Sequence, residues 1–404
     1  MSASATTHVP DWRRTPPAEK VQRILVTAYG HTADSLPAGP CLAELRRSYP
    51  GAEIHLFVVE QVSDLWTACP YVDRVRTIHD FKWKGTRLQR VEQLVRLAGL
   101  TARIRGRYDM VVVLHARSWF FSCLAYLSGA QYRAGYHDRH PPRWLTHAAE
   151  SYEGIISFRD ENRKVMAALG IDVQDHHLQL WPTPSARAEA DALTKTIPQG
   201  VPLIGLHPGS HWACQRWHND RWASVADALM EHYGVQVVIT GSADEQPLAE
   251  EIAARMRRQP IIATGATSLL GYAELVRRCS VLLCVNSAAS QVGLAMRTPV
   301  VNLVGLEPLT WTGPESGEAM TVVRECSESS VSWCPLGIWG RLSECQIAEH
   351  VGLAGLNSIH PDHVLSAAAP WITAAEPSSR DHRTDLAPAD GGLTTQFDTV
   401  RDAS

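Results

Sequence analysis

The first residue able to do chemistry is Asp34, which follows an apolar run at residues 24–28 (ILVTA) in the small, polar segment Tyr29-Gly30-His31-Thr32-Ala33-Asp34-Ser35. A carboxylate at the end of a buried strand can take the proton of a hydroxyl as a general base. It can equally cap the helix that follows. His31 can share that work or be an ordinary loop histidine. Lys82, Lys84 and Arg87 can face an anionic acceptor, or they can be solvated helix charges.

A second group of candidates lies in four loops between residues 207 and 291. The stretch LIGLHPGS (203–210) ends an apolar run in a Pro-Gly-Ser turn, and the basic and aromatic segment His211-Trp212-Ala213-Cys214-Gln215-Arg216-Trp217 follows it. Arg216 offers a planar fork of donors to a diphosphate, or it is a solvated arginine. In the loop from Gly241 to Glu245, the carboxylate can accept ribose hydroxyls or simply favour the positive end of a helix. A third loop spans residues 265–268. In the fourth, Asn286-Ser287-Ala288-Ala289-Ser290-Gln291, small residues open a helix after a buried strand. Free N–H groups there suit a phosphate, although Asn-Ser is also a common helix cap. There is no Walker pattern, and no GxGxxG follows the first strand, which disfavours ATP hydrolysis and a standard dinucleotide site.

These loops need elements to position them. Apolar runs of strand length recur at 24–28, 54–59, 110–114, 133–136, 203–206, 235–240, 260–263, 281–285 and 300–304. Helical periodicity fills the intervals, at 40–47, 87–100, 118–127, 157–169, 222–233, 246–256, 269–278 and 290–296. Such alternation predicts an α/β protein with parallel sheets, and 404 residues suffice for two domains. The expected plan is a flexible leader at 1–20, a first Rossmann-like domain at 21–181, and a linker with a polar helix at 182–202. A second Rossmann-like domain at 203–372 and a disordered tail at 373–404 complete it, with the two sheets facing a central cleft. The loops after the strands of an open α/β sheet sit at the carboxyl edge, where ligands bind. The segment 137–144, with its histidines and arginines around two prolines, reads as a loop over that cleft.

A net charge of −4 gives no electrostatic case for nucleic acid, though it leaves room for a local basic cleft. No signal peptide and no apolar stretch of membrane-spanning length is evident, so the expected location is the cytoplasm. The nine cysteines include no CxxC pair, and Cys123, Cys279 and Cys284 lie in apolar runs as small hydrophobes. Cys326, Cys334 and Cys345 fall close together, but three thiolates are one short of a closed zinc site. No metal is expected.

Taken together, the chain resembles the bacterial ADP-heptose:lipopolysaccharide heptosyltransferases, inverting glycosyltransferases of GT-B fold. The resemblance covers roughly residues 22–372. It is carried by ILVTAYGHTADSLPAGPCLAEL, CPYVDRV, YDMVVVLHARS, LIGLHPGS with QRWHNDRW, VVITGSADE, TGATSLLGYAELV, VNSAASQVGLAMRTPVVNLVG and IHPDHV. It implies metal-independent transfer of a sugar from a nucleotide diphosphate to an acceptor hydroxyl. The acceptor, a lipopolysaccharide core or a specialised small molecule, would bind the first half, with membrane contact expected only if it is a lipid.

The resemblance also implies roles. The family's Gly-Asp base motif matches Ala33-Asp34, and His31, Lys82, Lys84 and Arg87 fall on the acceptor side. On the donor side are Ser210, Gln215, Arg216 and Trp217, the adenosine-contacting segments Gly241 to Glu245 and Thr267-Ser268-Leu269, and the sugar-binding group Asn286, Ser287, Ala288 and Gln291. The family's lysine, aspartate and histidine are here the amides Gln215, Asn286 and Gln291. Amides keep hydrogen bonds to hydroxyls but add no charge against a leaving diphosphate, which leaves that task to Arg216 and a helix N-terminus. A nucleotide-sugar binder of low activity is the alternative. A sugar-nucleotide epimerase is disfavoured by the missing glycine fingerprint.

Overall fold

A computed structural model describes residues 15–78, 87–114, 119–136, 142–149, 157–210, 215–305, 313–324 and 353–373. It divides into two compact units, residues 1–176 and 177–404.

In the first unit the strands are β1 (Arg23–Ala28), β2 (Glu53–Val59), β3 (Arg74–Ile78), β4 (Met110–Leu114), β5 (Tyr132–Tyr136) and β6 (His147–Ala149). They form one all-parallel sheet in the order β3-β2-β1-β4-β5-β6. Helices α1 (Thr32–Ser35), α2 (Gly39–Ser48), α3 (Arg87–Ile104), α4 (Trp119–Leu127) and α5 (Phe158–Ala168) complete it. Central β4, MVVVL, is buried along its whole length, as a strand covered on both faces must be. On one face Leu25, Phe57, Val111 and Val113 pack with Leu97, Ile104, Phe120 and Leu124 of α3 and α4.

The second unit repeats the plan. Its strands are β7 (Leu203–His207), β8 (Gln236–Ile239), β9 (Ile261–Ile262), β10 (Val281–Val285), β11 (Val300–Leu303) and β12 (Met320–Val323). They pair in parallel in the order β12-β11-β10-β7-β8-β9. Counted from its own first strand, each sheet has the order 3-2-1-4-5-6, the doubly wound Rossmann arrangement. The helices are α6 (Pro184–Thr194), α7 (Asn219–Tyr233), α8 (Gln246–Arg255), α9 (Leu269–Arg278), α10 (Ala288–Ala295), α11 (Leu353–Ser358) and α12 (Pro361–Thr373).

The expected α/β class with two Rossmann-like units is observed, with three additions. β3 (RVRTI), β6 (HAA) and β12 (MTVV) have no counterpart among the expected strands. β3 and β12 carry mixed or half-exposed residues, and β6 has only three, so none shows a continuous apolar run. The polar helix of the expected linker region is α6. It packs on α9 of the second unit, and its buried face is small, Ala186 and Ala190.

Candidate active site

In an open doubly wound sheet, ligands bind beyond the carboxyl ends of the strands, at the point where the connections reverse direction. That point lies between β1 and β4 in the first sheet and between β7 and β10 in the second. Asp34 follows β1, and the donor-side candidates follow β7, β8, β9 and β10.

Asp34 is on the short α1, where its Oδ2 accepts the His31 N–H at 2.9 Å. The capping role is therefore present, and it also fixes the carboxylate. Gly30, at φ +136°, lies so close to Asp34 that a Cβ there would stand 2.4 Å from the aspartate Cβ. Any side chain at position 30 would push the carboxylate aside. From below, the buried Trp66 indole donates to Ser35 Oγ at 2.8 Å, anchoring the helix that carries Asp34. Exposed His31 is at its N-cap. Arg87 opens α3, while Lys82 and Lys84 lie outside the described residues.

After β7, the structure brings Ser210, Gln215 and Arg216 together. Ser210 Oγ donates to Gln215 Oε1 at 2.7 Å, and Arg216 donates through Nε and Nη2 to the Ser210 carbonyl at 3.3 and 3.1 Å. The guanidinium is thus held from one edge, with its remaining N–H donors unengaged among the described residues. Trp217 is placed differently. It is 2% exposed and meets Trp222 edge to face at 5.2 Å in the core beneath α7. Its ring supports the loop from behind.

Glu245 lies across the ends of β7 and β8. Its Oε2 accepts from Ser242 N–H and Oγ at 2.7 and 3.0 Å, and a Cβ on Gly209 or Gly241 would stand 2.0 or 2.9 Å from its carboxylate oxygens. The two glycines are what let this carboxylate lie against the strand ends.

Ser268 caps α9, its Oγ accepting from Gly271 N–H at 3.0 Å. Its own N–H and hydroxyl donate to Glu189 of α6, at 2.7 Å from N and 2.9 Å from Oγ. A carboxylate already neutralises this helix N-terminus. The Thr267-Ser268-Leu269 corner therefore suits a neutral ring or a ribose hydroxyl better than a phosphate. Replacing Glu189 by alanine should lower stability by about 1 kcal/mol through the lost cap. Urea denaturation checks this, and an unchanged midpoint would mean that the bond is worth nothing in water.

The junction after β10 is largely buried. Ser287 caps α10, its Oγ accepting from Ala289 N–H at 3.4 Å. Asn286 is 8% exposed and Gln291 7%. Their oxygens, Asn286 Oδ1 and Gln291 Oε1, are buried and have no hydrogen-bond partner among the described residues. A buried acceptor left unpaired costs about 1–3 kcal/mol, so a pair of them beside a helix N-terminus marks a place where donors are expected to arrive.

His207, the last residue of β7, is not among the site residues expected from sequence. Thr240 Oγ donates to the Leu206 carbonyl at 3.0 Å and so accepts from His207 Nδ1 at 3.0 Å, which leaves Nε2 as an acceptor. Burial lowers the imidazole pKa, with a smaller opposing effect of Glu245. The ring is therefore neutral at pH 7. Its only sequence signal was its place between an apolar run and the Pro-Gly turn.

Among the described residues, no cluster of three or more His, Cys, Asp or Glu side chains is placed to hold a metal, and no helix is long and apolar enough to cross a membrane. Cys326, Cys334 and Cys345 lie outside those residues. Cys41 is buried, which pushes its thiol up to about 12, and Cys279 and Cys284 are buried as well.

Two doubly wound parallel sheets, each with its candidate side chains beyond the carboxyl edge, define the α/β units of the GT-B fold. Residues 98–339 match the profile of glycosyltransferase family 9 (heptosyltransferase). The chain is 24% identical over 281 residues to lipopolysaccharide heptosyltransferase 3 of Escherichia coli, covering 67% of this chain and 80% of that one. It is 23% identical over 326 residues to lipooligosaccharide heptosyltransferase 2 of Haemophilus influenzae, covering 74% and 88%. Among solved structures, a family 9 glycosyl transferase from Veillonella parvula superposes with a TM-score of 0.71 at 22% identity, over 88% of this chain and 98% of that one. The ADP-heptose lps heptosyltransferase II of E. coli gives 0.68 at 20%, over 87% and 99%. The chain belongs to glycosyltransferase family 9, and it is an enzyme of the glycosyltransferase class.

Proposed function

We propose that this protein transfers a heptose or related sugar from an ADP-sugar to an acceptor hydroxyl, with inversion at the anomeric carbon. The observation that carries this reading is the pair of buried oxygens, Asn286 Oδ1 and Gln291 Oε1, beside the N-terminus of α10, which have no hydrogen-bond partner among the described residues. Sugar hydroxyls are donors that would satisfy both, and free N–H groups at the start of the helix would face the diphosphate.

In the proposed reaction Asp34 takes the proton of the acceptor hydroxyl while its oxygen attacks the anomeric carbon. The bond from that carbon to the diphosphate oxygen breaks in the same displacement, through an oxocarbenium-like state. Arg216 and the N–H groups opening α10 stabilise the charge gathering on the leaving diphosphate. Glu245 and the Thr267-Ser268-Leu269 corner would take the ribose and the neutral base. The acceptor is a lipopolysaccharide core or a specialised small molecule. Contact with a membrane surface enters only in the first case. The buried free thiols agree with a reducing compartment, and we assign the reaction to the cytoplasm.

Calorimetry with ADP and with ADP-heptose tests the donor side. Arg216→Ala should weaken the binding of both by about tenfold or more, the value of a charge-assisted contact. Unchanged affinity would remove Arg216 from the site. Nucleotide release during incubation with acceptor separates a transferase from a binder of low activity, which would hold the sugar nucleotide unreacted.

A further inference from the structure

The opposite edge of the first sheet carries a second feature, unrelated to the candidate active site. Arg23 opens β1, Glu53 opens β2 and Arg74 opens β3, so their side chains gather at the amino ends of the strands. The pairing places Arg23 beside Glu53, and His55 beside Arg74. Successive side chains alternate between faces, so Arg76 shares the face of Arg74. On that face Leu97 and Ile104 of α3 pack with Leu25 and Phe57. Below the last turn of α3 a cavity of about 570 Å³ remains open, and Arg103 and Arg107 bring two more guanidinium groups to it.

Five arginines thus line one cavity with a single carboxylate among the lining residues. That carboxylate, Glu53, is already engaged. Its Oε1 lies 2.9 Å from His55 Nε2 and 3.0 Å from Arg74 Nε. His55 in turn meets the Tyr108 hydroxyl at 2.7 Å on the buried floor. The hydrogen bond from His55 keeps Glu53 ionised by lowering its pKa, with Arg74 and Arg23 adding to the effect. Arg23, Arg76, Arg103 and Arg107 have no side-chain ion pair among the described residues. In a chain of net charge −4 this is a local concentration of positive charge, not a generally basic surface. Like charges so gathered repel one another unless an anion joins them.

We propose that this cavity binds a compact anion bearing two or more phosphate groups. Guanidinium forks match phosphate oxygens in pairs, and the cavity volume is in the range of small-molecule sites. Phe57, Ile104 and Tyr108 give its inner wall an apolar, aromatic surface on which the organic part of such an anion can rest. β1 is six residues long, about 20 Å at the usual rise per residue. A ligand here is therefore remote from Asp34, and the site would anchor a phosphorylated molecule without touching reacting atoms. The same chemistry is offered by a soluble phosphorylated compound and by phosphate headgroups on a lipid surface.

The test is calorimetry with inorganic tripolyphosphate on the full chain, on Arg76→Ser/Arg107→Ser, and on Arg216→Ala. Both arginines of the double variant are exposed, so folding should survive, and circular dichroism verifies it. The expected result is binding that weakens with added salt, is lost by about tenfold or more in the double variant, and is kept in Arg216→Ala. Flotation with vesicles of phosphatidylcholine, alone or mixed with phosphatidylglycerol, separates the two sources. Capture by the mixed vesicles only, abolished in the double variant, assigns a lipid headgroup; tripolyphosphate binding without capture assigns a soluble ligand. Equal binding by the full chain and the double variant, or binding lost only in Arg216→Ala, would overturn the proposal while leaving the reading of the carboxyl edge intact.

Discussion

Asp34→Asn should reduce turnover by about 100- to 10,000-fold, the usual contribution of a general base, while nucleotide binding is unchanged. Asparagine is the informative replacement because of the local geometry. Its side-chain oxygen can still accept the His31 N–H that Asp34 Oδ2 accepts at 2.9 Å, so α1 keeps its cap. Ser35 and Trp66 continue to anchor the helix from below. What disappears is the negative charge and the ability to take a proton. A steady-state assay with ADP-heptose and acceptor, paired with calorimetry of ADP binding, separates the two effects. Retained turnover would mean that the carboxylate is only a cap.

Trp217→Ala is expected to act on stability, by about 3–5 kcal/mol. The resemblance places this residue beside the donor, but its ring is 2% exposed and edge-on to Trp222 in the core beneath α7. Removing it would leave a cavity next to Trp222 in the core of the second unit. Trp217→Phe retains much of the packing and should cost less, with ADP affinity close to that of the parent. Urea unfolding of both variants gives the stability change. A large loss of ADP affinity in a folded Trp217→Phe protein would instead return the ring to the ligand.

The central elements were legible because their chemistry is local. β1, β4, β7 and β10 are buried on both faces and read as continuous apolar runs, and the helices between them show period 3.6. Strict alternation then implied parallel sheets, whose carboxyl-edge loops are where the candidate side chains lie. Of the four edge strands only β9 falls in an expected apolar run; β3, β6 and β12 do not, because an edge is half wet and need not be apolar. Caps were legible only as alternatives. Asp34, Glu245 and Ser287 each carry the local bond that a cap requires, and residue type cannot say whether a ligand is served as well.

By itself the sequence determined the two-domain α/β class, the family resemblance and the order of loops on the carboxyl edges, because periodicity and motif spacing are written along the chain. Only tertiary structure decided which side of a loop a residue faces. It turned Trp217 into the core and buried the side-chain oxygens of Asn286 and Gln291 without a partner among the described residues. It also brought Glu189 to Ser268 across 79 positions, and Arg23, Arg74 and Arg107 to one cavity. The physical reason is that burial and charge pairing depend on distance in space, and a parallel sheet places residues far apart in sequence side by side at its edges.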